Sequence, residues 1–136
     1  LADLLKEAVD GLLAHQDKES CLFYQVVDMP ELPGNYLETS GSAMAAYALL
    51  KGFRLGMLQK EAYKKHGEDI LCGLCARHMR MDGGRLHLRA GGLGPASDLR
   101  RDGTPEYYVS EPIMEDNGHG AAALIMAYSE YLRLRA

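Results

Sequence analysis

Residues 24–50 read YQVVDMPELPGNYLETSGSAMAAYALL. A turn-rich loop with Pro30, Pro33, Gly34 and Asn35 runs into an acid-hydroxyl cluster, Glu38, Thr39 and Ser40. The cluster opens a helix built almost wholly from small and apolar residues. A helix that is apolar all round has to be buried on every side. Its first turn still carries N–H groups without intrahelical partners, and these point at whatever lies above. A buried helix with a polar mouth predicts a barrel or bundle with a pocket at one end.

The end of the chain repeats this design. Residues 115–120 read EDNGHG, and AAALIMAYSEYL follows over 121–132. Asp116 and Asn117 both suit a helix cap, as do Thr39 and Ser40 for the earlier helix, which should end near 52–56. Two other segments read as outer, amphipathic helices. Over residues 1 to about 15, Leu1, Leu4, Leu5, Ala8, Val9, Leu12 and Leu13 recur at helical spacing. Over about 59–79 the stripe is Ala62, Tyr63, Ile70, Leu71 and Leu74. Residues 22–27 read as a short extended piece and 85–88 as a strand after the turn Asp82, Gly83, Gly84. Residues 90–105, rich in Gly and Pro, read as loop, and so does the approach to the last helix. Outer and inner helices in alternation are what an (α/α) barrel requires. The expected class is all-α, with helical hairpins.

Composition narrows the function classes. The chain has 136 residues, 47% of them hydrophobic and 25% charged, as in an ordinary globular domain. A net charge of -4 argues against a nucleic-acid partner. No apolar run is long enough to span a bilayer, so no membrane partner is expected. Cys21, Cys72 and Cys75 are a sparse, odd set, which fits a reducing, cytoplasmic setting. Cys72 and Cys75 form CGLC, but without a second pair and within a helical pattern. They read as buried or half-buried outer-helix residues, and no metal or cofactor is expected.

Several blocks in register carry a resemblance. They are FYQVVD (23–28), NYLETSGSAM (35–44), YALLKGFRLG (47–56), DGGRLHL (82–88), GLG (92–94), RDGTPEYYVSEP (101–112) and EDNGHG (115–120). Together they resemble the unsaturated uronyl and rhamnogalacturonyl hydrolases, a glycosyl hydrolase family 88/105-like group. The resemblance implies an (α/α)6 barrel of six hairpins, of which this chain would form a C-terminal part. It implies an enzyme that hydrates the 4,5 double bond of an unsaturated uronic acid and so releases it from an oligosaccharide, as in pectin breakdown. One aspartate would serve as general acid and base, with its pKa raised by its pocket. That aspartate belongs to a motif N-terminal to these blocks, so no catalytic role passes to Asp28, Asp102 or Asp116. The family's sugar-stacking tryptophans are missing too, since the chain has no Trp. Cys21 and Phe23 stand where the family has Gly and Trp.

Candidate substrate-binding residues follow from both readings. Glu38 and Ser40 lie where an inner helix opens, although a helix cap is the plainer role for them. Gly118, His119 and Gly120 open the last inner helix, where N–H groups and the helix dipole favour an anion such as a uronate. A solvent-facing histidine is the alternative for His119. Tyr108 and Glu111, with Arg101, Asp102 and Tyr107, precede that helix and could stack on or accept from a sugar, or could pack on the rim. Gln25 is a similar case. The rival to an enzyme fragment is a non-catalytic helical module that self-associates through an open barrel edge.

Overall fold

The computed structural model describes residues 1–89, 91–92 and 103–136. The described elements are α1 (Ala2–Leu13), β1 (Phe23–Tyr24), β2 (Leu37–Glu38), α2 (Thr39–Arg54), α3 (Glu61–His78), β3 (Met79–Asp82), β4 (Arg85–Leu88), β5 (Gly91–Gly92), α4 (Pro105–Val109), β6 (Ile113–Met114) and α5 (Gly118–Arg133). The strands pair antiparallel as β1–β2, β3–β4 and β5–β6. The architecture is all-α with three small ribbons among the described residues.

α2 is the central helix, packed between α3 and α5. Its small side chains make this possible. Ala43, Ala45, Ala46, Leu49 and Leu50 are all buried. Gly67 of α3 lies so close to Leu50 that a Cβ there would stand 2.7 Å from Leu50 Cγ. The start of α2 meets the end of α3 where Thr39 Oγ1 lies 2.7 Å from His78 Nδ1. α2 and α3 therefore form an antiparallel hairpin. α5 runs parallel to α2. A Cβ on Gly120 would touch Thr39 at one end, and Arg54 is paired with the buried Glu130 at the other. An inner helix with an antiparallel outer helix, and a second inner helix parallel to the first, are the arrangement of successive hairpins in an (α/α) barrel.

Several expectations need correction. The cap of α2 is neither Thr39 nor Ser40 but Glu38, whose carboxylate accepts from the N–H groups of Ser40 and Gly41. Thr39 is turned inward and is fully buried. The approach to α5 is not all loop. Thr104 caps the five-residue α4 through Tyr107 N–H, with Pro105 in its first turn. Cys72 and Cys75 are exposed rather than buried, because the inward face of α3 is taken by Ile70, Leu71 and Leu74. α1 buries Val9 alone, and Ala62 of α3 is exposed. The two inner helices are not covered on every side. Met44 on α2 and Ile125, Met126, Tyr128 and Leu132 on α5 are exposed. α5 packs chiefly along α2, so its far side meets solvent. Arg101 and Asp102, and Leu93 and Gly94 of the GLG block, lie outside the described residues.

Candidate functional site

The β1–α2 connection builds the mouth of α2 around Asn35. Its side-chain oxygen accepts from Val26 N–H at 3.2 Å and Tyr36 N–H at 3.0 Å. Its amide nitrogen donates to the carbonyls of Val26 at 2.9 Å and Met29 at 2.8 Å. One side chain thus fixes the turn that carries Gln25 on one side and Glu38 on the other. Ser42 secures the join: its hydroxyl donates to Glu38 O at 2.6 Å and accepts from Phe23 N–H at 3.0 Å.

Above this mouth is a cavity of about 320 Å³, lined by Gln25, Glu38, Ser40, Gly41, Met44 and Tyr108 among others. The structure thereby brings together four of the residues singled out in the sequence: Gln25, Glu38, Ser40 and Tyr108. Tyr108 also lines an adjoining cavity of about 410 Å³, with Gln25, Val27, Asp28, Thr104 and Tyr107. The shared residues make the two cavities one groove between the β1–α2 connection and α4. Glu38 is buried, and both carboxylate oxygens are engaged by the first turn of α2. Ser40 Oγ donates to Glu38 Oε1 at 2.7 Å, which leaves its lone pairs to accept from a hydroxyl in the groove. Tyr36 stands near Glu38 and Tyr108. Burial first, then the charge of Glu38, pushes its phenol up to about 12. Amide, hydroxyl and phenol groups set between aromatic and aliphatic walls suit a sugar.

The mouth of α5 is a second polar cluster. Asn117 caps the helix, accepting from Gly120 N–H at 2.8 Å. Gly120 is buried, whereas Gly118 and His119 are exposed. The N–H groups left for an anion are therefore those of Gly118 and His119. The acids beside them are turned away and paired. Glu115 meets Arg80 in a two-point contact at 3.1 and 3.2 Å. Asp116 takes a left-handed φ of 58° and accepts from Leu88 N–H and His87 Nδ1, both at 2.8 Å. The Arg80 contact holds the Glu115 carboxyl below its ordinary range, and the Leu88 N–H, followed by His87, does so for Asp116. Neither acid is aimed at an anion on the helix start. Glu111 is half-buried beyond α4 and lines neither cavity of the groove.

One feature escaped the sequence reading. A cavity of about 480 Å³ is lined by Arg77, His78, Arg89, Ile113, Met114 and Glu115. Its lining comes from α3, the residue after β4 and β6, segments far apart in the chain, so no local motif announces it. No group of His, Cys, Asp or Glu among the described residues is arranged to hold a metal ion. No helix among them is long and apolar enough to cross a membrane.

Parallel inner helices with an antiparallel outer partner define a segment of an (α/α) barrel. The chain belongs to glycosyl hydrolase family 88, whose model matches residues 1–135. It is 39% identical to protein Atu3128 of Agrobacterium fabrum and to the 24.9 kDa protein in the picA locus of Rhizobium radiobacter, in each case over 98% of this chain. It spans only 60% of the length of those curated relatives. Among solved structures it is similar to a family 105 glycoside hydrolase of Clostridium acetobutylicum, with a TM-score of 0.91 and 37% identity. That match covers 97% of this chain and 37% of the other. It is also similar to a possible GH105 member from Salmonella enterica, with a TM-score of 0.81 and 25% identity, covering 99% of this chain and 32% of the other.

Proposed function

We propose that this chain works as the C-terminal part of a barrel enzyme that hydrates the ring double bond of an unsaturated uronic acid, releasing it from an oligosaccharide of pectin or a related polyuronide. Its part is to hold the sugar. The observation that carries this reading is the meeting of Gln25, Ser40 and Tyr108 around one cavity at the mouth of an inner helix. Gly118 and His119 at the neighbouring mouth supply N–H groups for the uronate carboxylate, with Glu115 paired to Arg80 and Asp116 engaged by hydrogen bonds from His87 and Leu88. Glu38 serves both roles: it caps α2 and orients Ser40.

The proton donor is a different matter. A general acid for this chemistry needs a carboxyl kept protonated near neutrality. Among the described residues, the carboxyls with displaced titration, Asp10, Asp17, Glu115, Asp116 and Glu130, are all displaced downward. Each is held as a carboxylate by a hydrogen bond, the opposite of what the acid requires. None of these five suits the role, and the acid is assigned, as the family resemblance implies, to another part of the intact barrel. The double bond absorbs in the ultraviolet, which gives a direct test with an unsaturated disaccharide. The purified chain should leave the absorbance unchanged. Turnover that a single substitution within this chain abolishes would contradict the assignment.

A second reading rests on the exposed side of α5. Ile125, Met126, Tyr128 and Leu132 form an apolar face in solvent. Such a face favours association of the free chain with itself. The cytoplasm is proposed as its compartment on the three cysteines, none of which is in a disulfide.

A further inference from the structure

The chain's three cysteines lie away from the groove, on and beside the outer helix α3. Cys72 and Cys75 are one helical step apart on α3, and both are exposed. Cys21 is half-buried in the turn between α1 and β1. That turn presses directly on α3. A Cβ on Gly73 would stand 2.1 Å from the Ser20 carbonyl oxygen and 3.1 Å from Leu22 Cδ2. Cys21 sits between the two residues that touch Gly73, and Cys72 is the residue before Gly73.

The backbone at Cys21 is unusual. Its φ is 62°, the left-handed region that suits glycine and strains a residue with a Cβ. The strain is held in place from both sides: Cys21 N–H donates to Asp17 O at 2.9 Å, and Gln16 donates to Cys21 O at 2.7 Å. Its thiol is pushed up by burial first, and then by the charge of Asp69; Lys65, Asp17 and Cys72 act more weakly. Lys65, Asp69 and Cys72 succeed one another along one ridge of α3, beside Gly73, against which the Cys21 turn packs.

We infer that Cys72 and Cys21 form a reversible thiol–disulfide pair, a modification site for low-molecular-weight disulfides that staples the α1–β1 turn to α3. The Cys72 thiolate attacks one sulfur of the small disulfide and expels one thiolate. Cys21, deprotonated, then attacks Cys72 Sγ in the mixed disulfide and expels the second. The protein loses two thiol hydrogens as its sulfurs are oxidised, and the small disulfide is reduced to two thiols. Cys21 resolves the intermediate rather than Cys75 for a geometric reason. Cβ atoms one helical step apart stand about 5–6 Å from each other, whereas a disulfide wants about 3.8 Å. The helix between Cys72 and Cys75 has no room to adjust, because Gly73 is pinned under Ser20.

The test is to equilibrate the chain in glutathione buffers of rising oxidised fraction, block free thiols and map the peptides by mass. The expected product is two hydrogens lighter, links the Cys21 and Cys72 peptides, melts at a higher temperature and reverts with dithiothreitol. Cys75→Ser should form the same link. Cys72→Ser should form none, while melting as the reduced parent does because that side chain is exposed. A link between Cys72 and Cys75 would overturn the proposal. So would glutathione adducts on Cys72 with no link to Cys21, or an unchanged loss of two hydrogens in Cys21→Ser.

Discussion

Thr39 has one hydroxyl hydrogen and two neighbours placed to take it. It donates to Arg89 O at 2.6 Å, so His78 Nδ1, at 2.7 Å, must be the donor in their contact. Nδ1 of His78 therefore carries a hydrogen, and burial favours the neutral ring. Burial lowers its pKa, outweighing the opposing charge of Glu38. The sign follows directly. The unfolded chain takes up this proton below about pH 6.5, before the folded chain does. Stability is full above that pH and falls as the pH drops through it, down to the lower folded value. Urea melts from pH 7 to 5 should show this decline, and His78→Gln should flatten it. An unchanged slope in the variant would place the proton uptake elsewhere. Little of this network could be read in advance. The cluster of Glu38, Thr39 and Ser40 read as a cap, with the hydroxyls the favoured members. A residue on each of two distant segments, His78 and Arg89, claims the hydroxyl of Thr39, and Glu38 takes the cap.

Among the elements, α2 and α5 were legible because unbroken runs of Ala, Leu and Met admit few alternatives to a packed helix. α4 was not, although Thr104 followed by Pro105 is a recognisable start signal. Its brevity and the Gly- and Pro-rich stretch before it hid it. The groove was half legible. Ser40 and Tyr108 could be named, but only the fold of the connection around Asn35 brings them to one cavity with Gln25. The pairing of α2 with α5 depends on a feature no local pattern contains. Arg54, at the end of α2, meets Glu130 of α5 through Nε, with a second contact from Nη2 at 3.2 Å, and Arg133 adds a third at 3.0 Å. Glu130 is 2% exposed, and these contacts hold its carboxyl below the usual range, the Arg54 hydrogen bond foremost. Glu130→Gln should cost about 2 kcal/mol, typical of a hydrogen bond to a charged group. Chemical denaturation measures this. A variant as stable as the parent would mean that the two helix ends are joined by packing alone.

At the scale of the molecule, α2 is packed on two sides, by α3 and α5, whereas α5 is packed chiefly on one. The apolar side chains left on α5 are the residues 125–132 that an inner helix would turn to a neighbour. Sedimentation at rising concentration should therefore show self-association, weakened by Ile125→Lys or Met126→Lys. A monomer at all concentrations would show that the exposed face is tolerated as it stands.

The groove is the central claim, and it is built from residues of this chain alone. Amide-resolved NMR of the chain, titrated with an unsaturated uronyl disaccharide, reads it residue by residue. The account predicts saturable shifts at Gln25, Ser40, Gly41 and Tyr108, joined by Gly118 and His119. Shifts confined to Arg77 and Arg89, or none at saturating sugar, would contradict it.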